Sequence, residues 1–167
     1  HFIDALAIDQ RRAKEIGGYD EKRCLAIALE RLAEFEQSVN KNVEAKKRYE
    51  EALLQYKSIM EEYKSHKSIL GYACALSKFA GFCTDAGDSE KAREHYLKAL
   101  ELIEQVAKED PKPDNLALLS SIYDKCGEFE KDQHKYKAAR KHFMDVLEIN
   151  QRRAKEIGGY DEKRCLA

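Results

Sequence analysis

Residues 87–100 read GDSEKAREHYLKAL and determine how the chain is expected to fold. Small or apolar side chains recur in this stretch and just beyond it at the spacing of one face of an α-helix. These positions are Ala92, Tyr96, Ala99, Leu100 and Ile103. Gly87 is a helix stop, and Asp88 or Ser89 is a natural N-cap. The stretch therefore predicts a tight turn followed by an amphipathic helix that packs through one face.

The same pattern occurs three times at a spacing of 47 residues, as AKKRY at 45–49, AREHY at 92–96 and ARKHF at 139–143. Five further columns of apolar or small residues keep this spacing. They are Leu29, Leu76 and Tyr123; Ala33, Ala80 and Gly127; Phe35, Phe82 and Phe129; Ala52, Ala99 and Val146; and Leu53, Leu100 and Leu147. Such agreement is hard to obtain by chance, and it predicts an array of repeated units.

A longer repeat contains the short one. Residues 10–26 read QRRAKEIGGYDEKRCLA, and residues 151–167 are identical. With the preceding stretches 1–9 and 142–150 included, 22 of 26 aligned positions match. Packing explains matching apolar positions but not identity at surface positions such as Gln10 and Lys22. We favour recent duplication of a three-unit block over construction by design, because five cysteines and irregular units are unlike a designed sequence.

Each unit is predicted to contain two helices. The expected helices are 1–16, 21–38, 43–64, 68–85, 90–109, 115–131 and 135–157, with another beginning at 161. Gly17 and Gly18 separate the first two, with Asp20 as an N-cap, and Pro111 ends a helix before a cap at Asp114. Residues 1–167 then form one array. It comprises the second helix of a partial repeat (1–20), repeat 1 (21–67), repeat 2 (68–114), repeat 3 (115–161) and the start of another repeat (162–167).

Composition excludes several classes of function. The 30 Lys and Arg residues balance 31 Asp and Glu residues, which disfavours a nucleic-acid partner. No apolar run reaches membrane-spanning length, so a membrane partner is not expected. Five cysteines without a CxxC pair indicate neither a disulfide framework nor a zinc site, and favour a reduced, cytoplasmic setting. No catalytic or phosphate-binding motif occurs, so the chain is not expected to be an enzyme or to hold a cofactor or metal; catalysis would require a domain outside this segment.

Residues 87–100 resemble the tetratricopeptide repeat (TPR) family. Gly87 is similar to the family's loop glycine, and Ala92, Tyr96 and Ala99 are similar to the small, aromatic and second small residues of its second helix. Leu76, Phe79 and Ala80 are similar to the family's first-helix residues. The other units match at Leu29, Leu32, Ala33, Ala45, Tyr49 and Ala52, and at Tyr123, Cys126, Gly127, Ala139, Phe143 and Val146. The resemblance implies an all-α, right-handed superhelix of antiparallel helix pairs. The family's usual period is about 34 residues, so both helices here are expected to be elongated.

The resemblance also implies a function. TPR proteins usually bind a peptide or partner protein in a concave groove lined by first helices. The corresponding groove residues are Glu30, Arg31, Glu34, Ser77, Lys78, Asp85, Asp124, Lys125 and Glu128. The column Arg31, Lys78 and Lys125 is either a cationic ladder for an acidic peptide or a solvated face whose charges pair three or four residues along the helix. The acidic residues could equally favour a basic ligand, and this alternative stays open. Glu34 and Glu128 stand where carboxylate-clamping members carry Asn, which argues against a carboxylate ligand.

A structural function is the alternative to the groove. Neither end of the sequence coincides with a predicted helix boundary, and no polar capping element is evident. Uncapped ends could stack head to tail and make the chain a self-assembling repeat segment. Among residues that might carry chemistry, Cys83 and Cys126 are expected in the core and Cys74 in the groove. His1, His95 and His142 share a repeat column that is expected to face solvent.

Overall fold

A computed structural model of the chain describes the backbone of residues 2–165 and the side chains of residues 6–155. Over residues 2–165 it contains seven helices and no strand. The helices are α1 (Phe2–Glu15), α2 (Tyr19–Ser38), α3 (Asn42–Tyr63), α4 (His66–Asp85), α5 (Ser89–Glu109), α6 (Pro113–Asp132) and α7 (Tyr136–Cys165). The all-α fold of antiparallel helix pairs that the sequence predicts is confirmed. The predictions for His1 and for residues 166–167 lie outside the described residues.

The 47-residue period is present in the backbone of the turns. In three connections the residue after the turn donates its N–H to the carbonyl five residues earlier, as in the Schellman motif. These bonds join Lys41 to Glu36 (2.8 Å), Asp88 to Cys83 (2.9 Å) and Lys135 to Glu130 (2.8 Å). The residue before each donor is left-handed: Asn40 (φ 60°), Gly87 (φ 78°) and His134 (φ 58°). The glycine predicted as a helix stop is therefore one member of a repeated turn.

We expect Gly87→Ala to lower the free energy of unfolding by about 1 kcal/mol, although a Cβ there would meet nothing within 4 Å. The reason is the φ of 78°, which L-residues other than glycine rarely adopt. Gly81 lies inside α4, where an added Cβ makes only an ordinary 3.7 Å contact with the Tyr96 hydroxyl. The control Gly81→Ala should raise stability by about 0.5–1 kcal/mol. Urea unfolding measures both variants, and equal effects at both glycines would contradict the assignment.

Small side chains lie where helices cross closely. Six alanines of the repeat columns are at most 1% exposed: Ala33, Ala45, Ala52, Ala80, Ala92 and Ala99. Larger residues such as Leu29, Leu76 and Tyr49 fill the space between them. Gly127 takes the place of alanine in α6, where an added Cβ would lie 2.7 Å from the Phe143 ring. The repeated apolar columns of the sequence are thus packing positions.

Residues 1–99 and 100–167 form two compact units, each with its own packing. In the first, an aromatic cluster joins α3, α4 and α5. The Phe79 ring centroid lies 5.9 Å from Tyr49, 6.0 Å from Phe82 and 5.0 Å from His95. In the second, Ile122, Cys126 and Phe129 of α6 are buried.

The predicted histidine column does not face solvent. His95 and His142 are both half-buried. The His95 ring lies against Phe79, and the His142 ring lies 5.7 Å from that of Tyr123. Burial lowers the pKa of both imidazoles. The solvent-facing prediction is wrong for these two residues because each imidazole packs on an aromatic ring.

Two further apolar positions differ from their repeat columns. Phe35 is 49% exposed, whereas Phe82 and Phe129 are buried. Leu147 is 58% exposed, whereas Leu100 is 5% exposed. A shared column therefore fixes the residue type but not its burial, which depends on the helix that packs over it.

Several helix boundaries also differ from the prediction. Helix α2 begins after Gly18 and α6 after Lys112, so Asp20 and Asp114 are not N-caps. They lie in the first turn, where a carboxylate still interacts favourably with the helix dipole. Asp88 does cap α5, because its Oδ1 accepts a hydrogen bond from the N–H of Lys91 at 3.2 Å.

The predicted break at 158–160 is wrong, because α7 is continuous from Tyr136 to Cys165. The same 17 residues that form a helix, a turn and a second helix at 10–26 are helical as far as 165 in their second copy. Identical sequences have identical local propensities, so contacts made elsewhere decide between the two conformations. In the first copy the residues after the turn pack back, with Leu25 and Leu29 in one apolar cluster with Leu6.

Candidate functional site

Six predicted groove residues lie on two first helices within residues 1–99. We call them the α2–α4 surface: Glu30, Arg31 and Glu34 on α2, with Ser77, Lys78 and Asp85 on α4. Lys78 connects the helices, because its Nζ donates to Glu34 Oε1 at 3.0 Å and to Glu30 Oε2 at 3.3 Å. The surface therefore has a charged centre built from two consecutive helix pairs.

Glu30 is the buried member of this centre, with 6% exposure. The Tyr56 hydroxyl, from α3, donates to the same Oε2 at 3.3 Å. Burial raises the pKa of the Glu30 carboxyl, although Lys78 opposes the shift. Burial alone lowers the pKa of Lys78, but Glu30 and Glu34 outweigh it and raise that pKa. Lys78 is therefore held between two carboxyl groups, and its attraction to Glu30 opposes the effect of burial on the pKa of both groups.

A second polar bridge joins the C-terminal ends of the same helices. Gln37 Nε2 donates to Asp85 Oδ2 at 2.9 Å, and the Tyr49 hydroxyl donates to Gln37 Oε1 at 3.2 Å. Burial raises the pKa of Tyr49 to about 12, so this hydroxyl stays protonated as a donor. Tyr49 and Tyr56 belong to α3, and they were missed as site residues because sequence spacing assigns them only to the core.

The six residues differ in access to solvent. Arg31, Glu34, Lys78 and Asp85 are exposed, whereas Glu30 and Ser77 are buried. Among the described residues, Arg31 forms no ion pair and the Ser77 hydroxyl has no hydrogen-bond partner. A ligand can therefore contact four of the predicted residues directly, while Glu30 acts through Lys78.

The remaining predicted residues lie on α6. Asp124, Lys125 and Glu128 are all exposed. Glu128 pairs with Lys131 one turn further along the same helix, and this pairing raises the pKa of Lys131. The pairing along one helix that was expected for this column is not the one observed: Glu128 pairs with Lys131, and Lys78 binds carboxylates on a neighbouring helix.

Two clefts have related linings and were not predicted from the sequence. One, of about 420 Å³, lies between α1, α2 and α3, and the other, of about 380 Å³, lies between α5, α6 and α7. Their linings correspond at twice the 47-residue period. Matching positions are Ala13 and Ala107, Lys14 and Lys108, Leu25 and Leu119, Leu29 and Tyr123, and Glu51 and Asp145. The two clefts therefore arise from the same packing of repeated helices. The polar side chains that line them differ between the two copies.

Other reactive side chains show no convergence on a site. Cys83 and Cys126 are buried as predicted, and burial raises their pKa to about 11 and about 12. Such thiols are poor nucleophiles at neutral pH. Within the described residues, no group of His, Cys, Asp and Glu side chains is arranged to hold a metal ion. None of the described helices is both long and apolar enough to cross a membrane.

The solved structures that align with this chain differ in how similar they are to it. BtubC (BKLC) from P. vanneervenii aligns with 90% of this chain and 56% of its own, at 22% identity and a TM-score of 0.67. The MamA protein aligns at 15% identity, 92% of each chain and a TM-score of 0.40. The DHF79 filament aligns at 15% identity, 90% of this chain, 84% of its own and a TM-score of 0.35.

Of these three, the likeness to BtubC, with a TM-score of 0.67, shows a common fold. The present chain spans a little over half of the length of BtubC. No known family profile and no curated protein sequence matches the chain. The repeated turns, the buried alanine columns and this likeness together define a helical-repeat protein.

Proposed function

We propose that the chain is a non-catalytic, TPR-type interaction scaffold that binds a peptide or partner protein at the α2–α4 surface. The observation that carries the proposal is Lys78 held between Glu30 and Glu34, which joins consecutive first helices. Fixed charges at a partly exposed seam between helix pairs are suited to orient a charged ligand. The proposal includes the single array with repeats at 21–67, 68–114 and 115–161, a cytoplasmic setting, and Asp124, Lys125 and Glu128 as further groove residues.

The charge distribution favours a basic ligand. Three acids, Glu30, Glu34 and Asp85, face two bases, Arg31 and Lys78, so the α2–α4 surface carries a net charge of about −1. Lys78 is already bound to two carboxylates, and an acidic ligand would have to compete with them. The Glu34 side chain is 49% exposed and can accept a second cation. A peptide rich in lysine and arginine therefore suits this surface better than an acidic one.

The test compares two labelled peptides of equal length, one rich in Lys and Arg and the other rich in Glu, by fluorescence anisotropy. Tighter binding of the basic peptide is expected, with Glu34→Lys weakening it about tenfold, the factor that corresponds to about 1.4 kcal/mol. The control is Glu94→Lys, which makes the same charge change at an exposed site on α5. Equal affinity for both peptides, or equal effects of the two variants, would contradict the proposal.

A second candidate function is head-to-tail self-association. The observation that favours it is Leu147, which is 58% exposed on α7 whereas Leu6 and Leu100, at equivalent positions, are 6% and 5% exposed. Leu53, in the same column, is partly buried, so Leu147 is the exposed leucine of this column and leaves an apolar side chain on the surface of α7. Light scattering over a concentration series tests this function, since a constant mass near that of one chain would contradict it.

A further inference from the structure

The cleft between α1, α2 and α3, which we call the α1–α3 cleft, receives a cation from each of its three helices. Lys14 belongs to α1, Lys22 to α2 and Arg48 to α3, and all three line the cleft. Glu51 is the one acidic residue among the described residues of the lining. The cleft therefore has a volume of about 420 Å³ and a lining with a net charge of about +2.

The related cleft between α5, α6 and α7 has the opposite sign of charge. Its lining contains the acidic residues Glu104, Asp145 and Glu148. The basic residues of that lining, Lys108 and Arg152, leave a net charge of about −1. Both clefts arise from the same repeat packing, so packing alone does not require the positive lining of the α1–α3 cleft.

Two of the three cations differ in residue type from the rest of their repeat columns. The column of Lys22 contains Ile69 and Leu116, and the column of Arg48 contains His95 and His142. The side chains of Lys22 and Arg48 are 22% and 29% exposed. Positive charge that is largely withdrawn from water interacts more strongly with an anion than charge on an open surface. The sequence thus places cations at two cleft positions where helix packing accepts other residues.

Contacts within the chain satisfy only part of this charge. Lys22 forms an ion pair with Glu62, and Arg48 Nη1 lies 3.0 Å from Glu51 Oε2. The Nε of Arg48, however, is buried without a hydrogen-bond partner among the described residues. Lys14 is exposed and can turn towards a ligand. A buried donor without an acceptor is destabilising, and an anion in the cleft supplies the acceptor.

The rest of the lining is partly apolar. Leu25 and Leu29 are 7% and 2% exposed, and Ala13 is partly buried beside them. A phosphate monoester carries a charge of about −1.5 to −2 at neutral pH and has three acceptor oxygens. Its charge matches that of the lining, and its oxygens match the cations in number. The organic group of the ester can then cover the two leucines.

We propose that the α1–α3 cleft binds a phosphate monoester whose organic group is apolar, such as an aryl phosphate. Lys14, Lys22 and Arg48 hold the phosphate group, while Leu25 and Leu29 contact the organic group. A free small molecule and a phosphorylated tyrosine side chain both carry this chemistry. Recognition is by charge and shape, and no covalent bond is formed or broken.

The α1–α3 cleft and the α2–α4 surface lie on different faces of α2. Lys22, Leu25 and Leu29 are three and four residues apart and share one face. Glu30 follows Leu29 by one residue, which is a rotation of about 100° around the helix axis. The two sites therefore use different side chains, and the cleft goes beyond the peptide-binding function proposed above.

The first experiment is isothermal titration calorimetry of the full chain with phenyl phosphate at pH 7. We expect a Kd below about 1 mM, with inorganic phosphate at least about threefold weaker because it leaves the leucines uncovered. Lys22→Leu and Arg48→His should each weaken the binding of phenyl phosphate about tenfold. These substitutions introduce residues that the same columns already contain at Leu116 and His142, so the variants should fold, and circular dichroism checks this.

Three further variants test the charges individually. Lys108→Gln removes the equivalent lysine of the related cleft and should leave the affinity unchanged, whereas Lys14→Gln should lower it about threefold. Lys14 and Lys108 are both exposed, so the two changes are matched. Glu62→Gln frees Lys22 from its ion pair and should raise the affinity by about the same factor.

Fluorescence anisotropy with a labelled peptide that contains one phosphotyrosine identifies the source of the phosphate. Binding at least about tenfold tighter than that of phenyl phosphate, and lost both in the unphosphorylated peptide and in Lys22→Leu, would assign the site to a modified protein. A peptide affinity no better than that of phenyl phosphate would assign it to a small molecule.

Three results would overturn the proposal. The first is the absence of binding for both phenyl phosphate and the phosphotyrosine peptide. The second is an affinity that Lys22→Leu and Arg48→His leave unchanged, or that Lys108→Gln lowers equally, since binding would then lie outside the cleft. The third is equal affinity for phenyl phosphate and inorganic phosphate, since this would exclude contact of an apolar group with the leucines.

Discussion

Replacement of Phe79 by alanine is expected to lower the free energy of unfolding by about 3–5 kcal/mol. Phe79 is 2% exposed and belongs to the largest fully buried side chains described. Its ring contacts aromatic rings from α3, α4 and α5, at Tyr49, Phe82 and His95. Truncation removes these apolar contacts and leaves a cavity between three helices. Because collapse of the cavity would require all three helices to shift, the loss of stability should be large for a core substitution.

Urea denaturation followed by circular dichroism measures this loss. The matched control is Leu97→Ala on α5, where the leucine is 56% exposed and the expected change is below about 0.5 kcal/mol. A decrease of less than about 1 kcal/mol for Phe79→Ala would show that the three helices are not held by this cluster. The slope of the transition should stay constant, because the substitution changes stability rather than the surface exposed on unfolding.

Lys78→Met is the second substitution with a large expected effect, a loss of about 1–2 kcal/mol at pH 7. The change leaves the buried Glu30 carboxylate with only the Tyr56 hydroxyl, and an unpaired buried charge is destabilising. Loss of a partner from a fully buried pair costs more, about 3–5 kcal/mol. We expect less here because the Lys78 side chain is 41% exposed, and water screens its interaction with Glu30.

The loss should depend on pH in a defined direction. Burial raises the pKa of Glu30 above its ordinary 4.5, so the folded chain binds this proton more tightly than the unfolded chain. The ionised carboxylate therefore destabilises the fold above the raised pKa, and the penalty disappears as the pH falls through 4.5. Lys78 offsets part of the penalty. Its removal should raise the pKa of Glu30 further, so the difference between Lys78→Met and the unmodified chain is largest at pH 7 and shrinks towards pH 4.

A double-mutant cycle with Glu30→Gln isolates this effect. In the Glu30→Gln background no buried carboxylate remains, and Lys78→Met should cost less than about 0.5 kcal/mol at either pH. Urea unfolding of the four proteins at pH 7 and pH 4 gives the complete cycle. An equal cost of Lys78→Met in both backgrounds, or a cost that does not change with pH, would contradict the role assigned to Glu30.

Much of the fold could be predicted from the sequence. Helix pairs follow from the spacing of apolar residues, and the turn at Gly87 follows from the one residue type that adopts a left-handed backbone without strain. The alanine columns follow from close helix crossing. The N-caps were less predictable, since Asp88 is an N-cap while Asp20 and Asp114 lie in the first turn of their helices. A carboxylate interacts favourably with the helix dipole at either position, so its presence does not fix the first residue of the helix.

Less of the candidate site could be predicted. The family resemblance indicates Glu30, Glu34 and Lys78 as neighbours on a groove, but leaves open whether lysine or carboxylate faces a ligand. Lys78 of α4 donates hydrogen bonds to Glu30 and Glu34 of α2, and the Tyr56 hydroxyl of α3 donates to Glu30. The residues joined by these contacts are 26–48 positions apart in the sequence. Sequence spacing describes one helix at a time and gives no account of contacts between helices.

The sequence by itself determined the all-α fold, the 47-residue period and the residue types at each packing position, since these depend on local propensity and on the periodicity of apolar side chains. Only the tertiary structure decided which copy of a repeated residue is buried. Leu6 and Leu147 each stand four residues before the same 17-residue stretch, yet one is 6% and the other 58% exposed. The tertiary structure also decided whether QRRAKEIGGYDEKRCLA turns or stays helical. Both burial and turn formation depend on whether another helix packs against the segment. An identical stretch of sequence carries no information about that neighbouring helix.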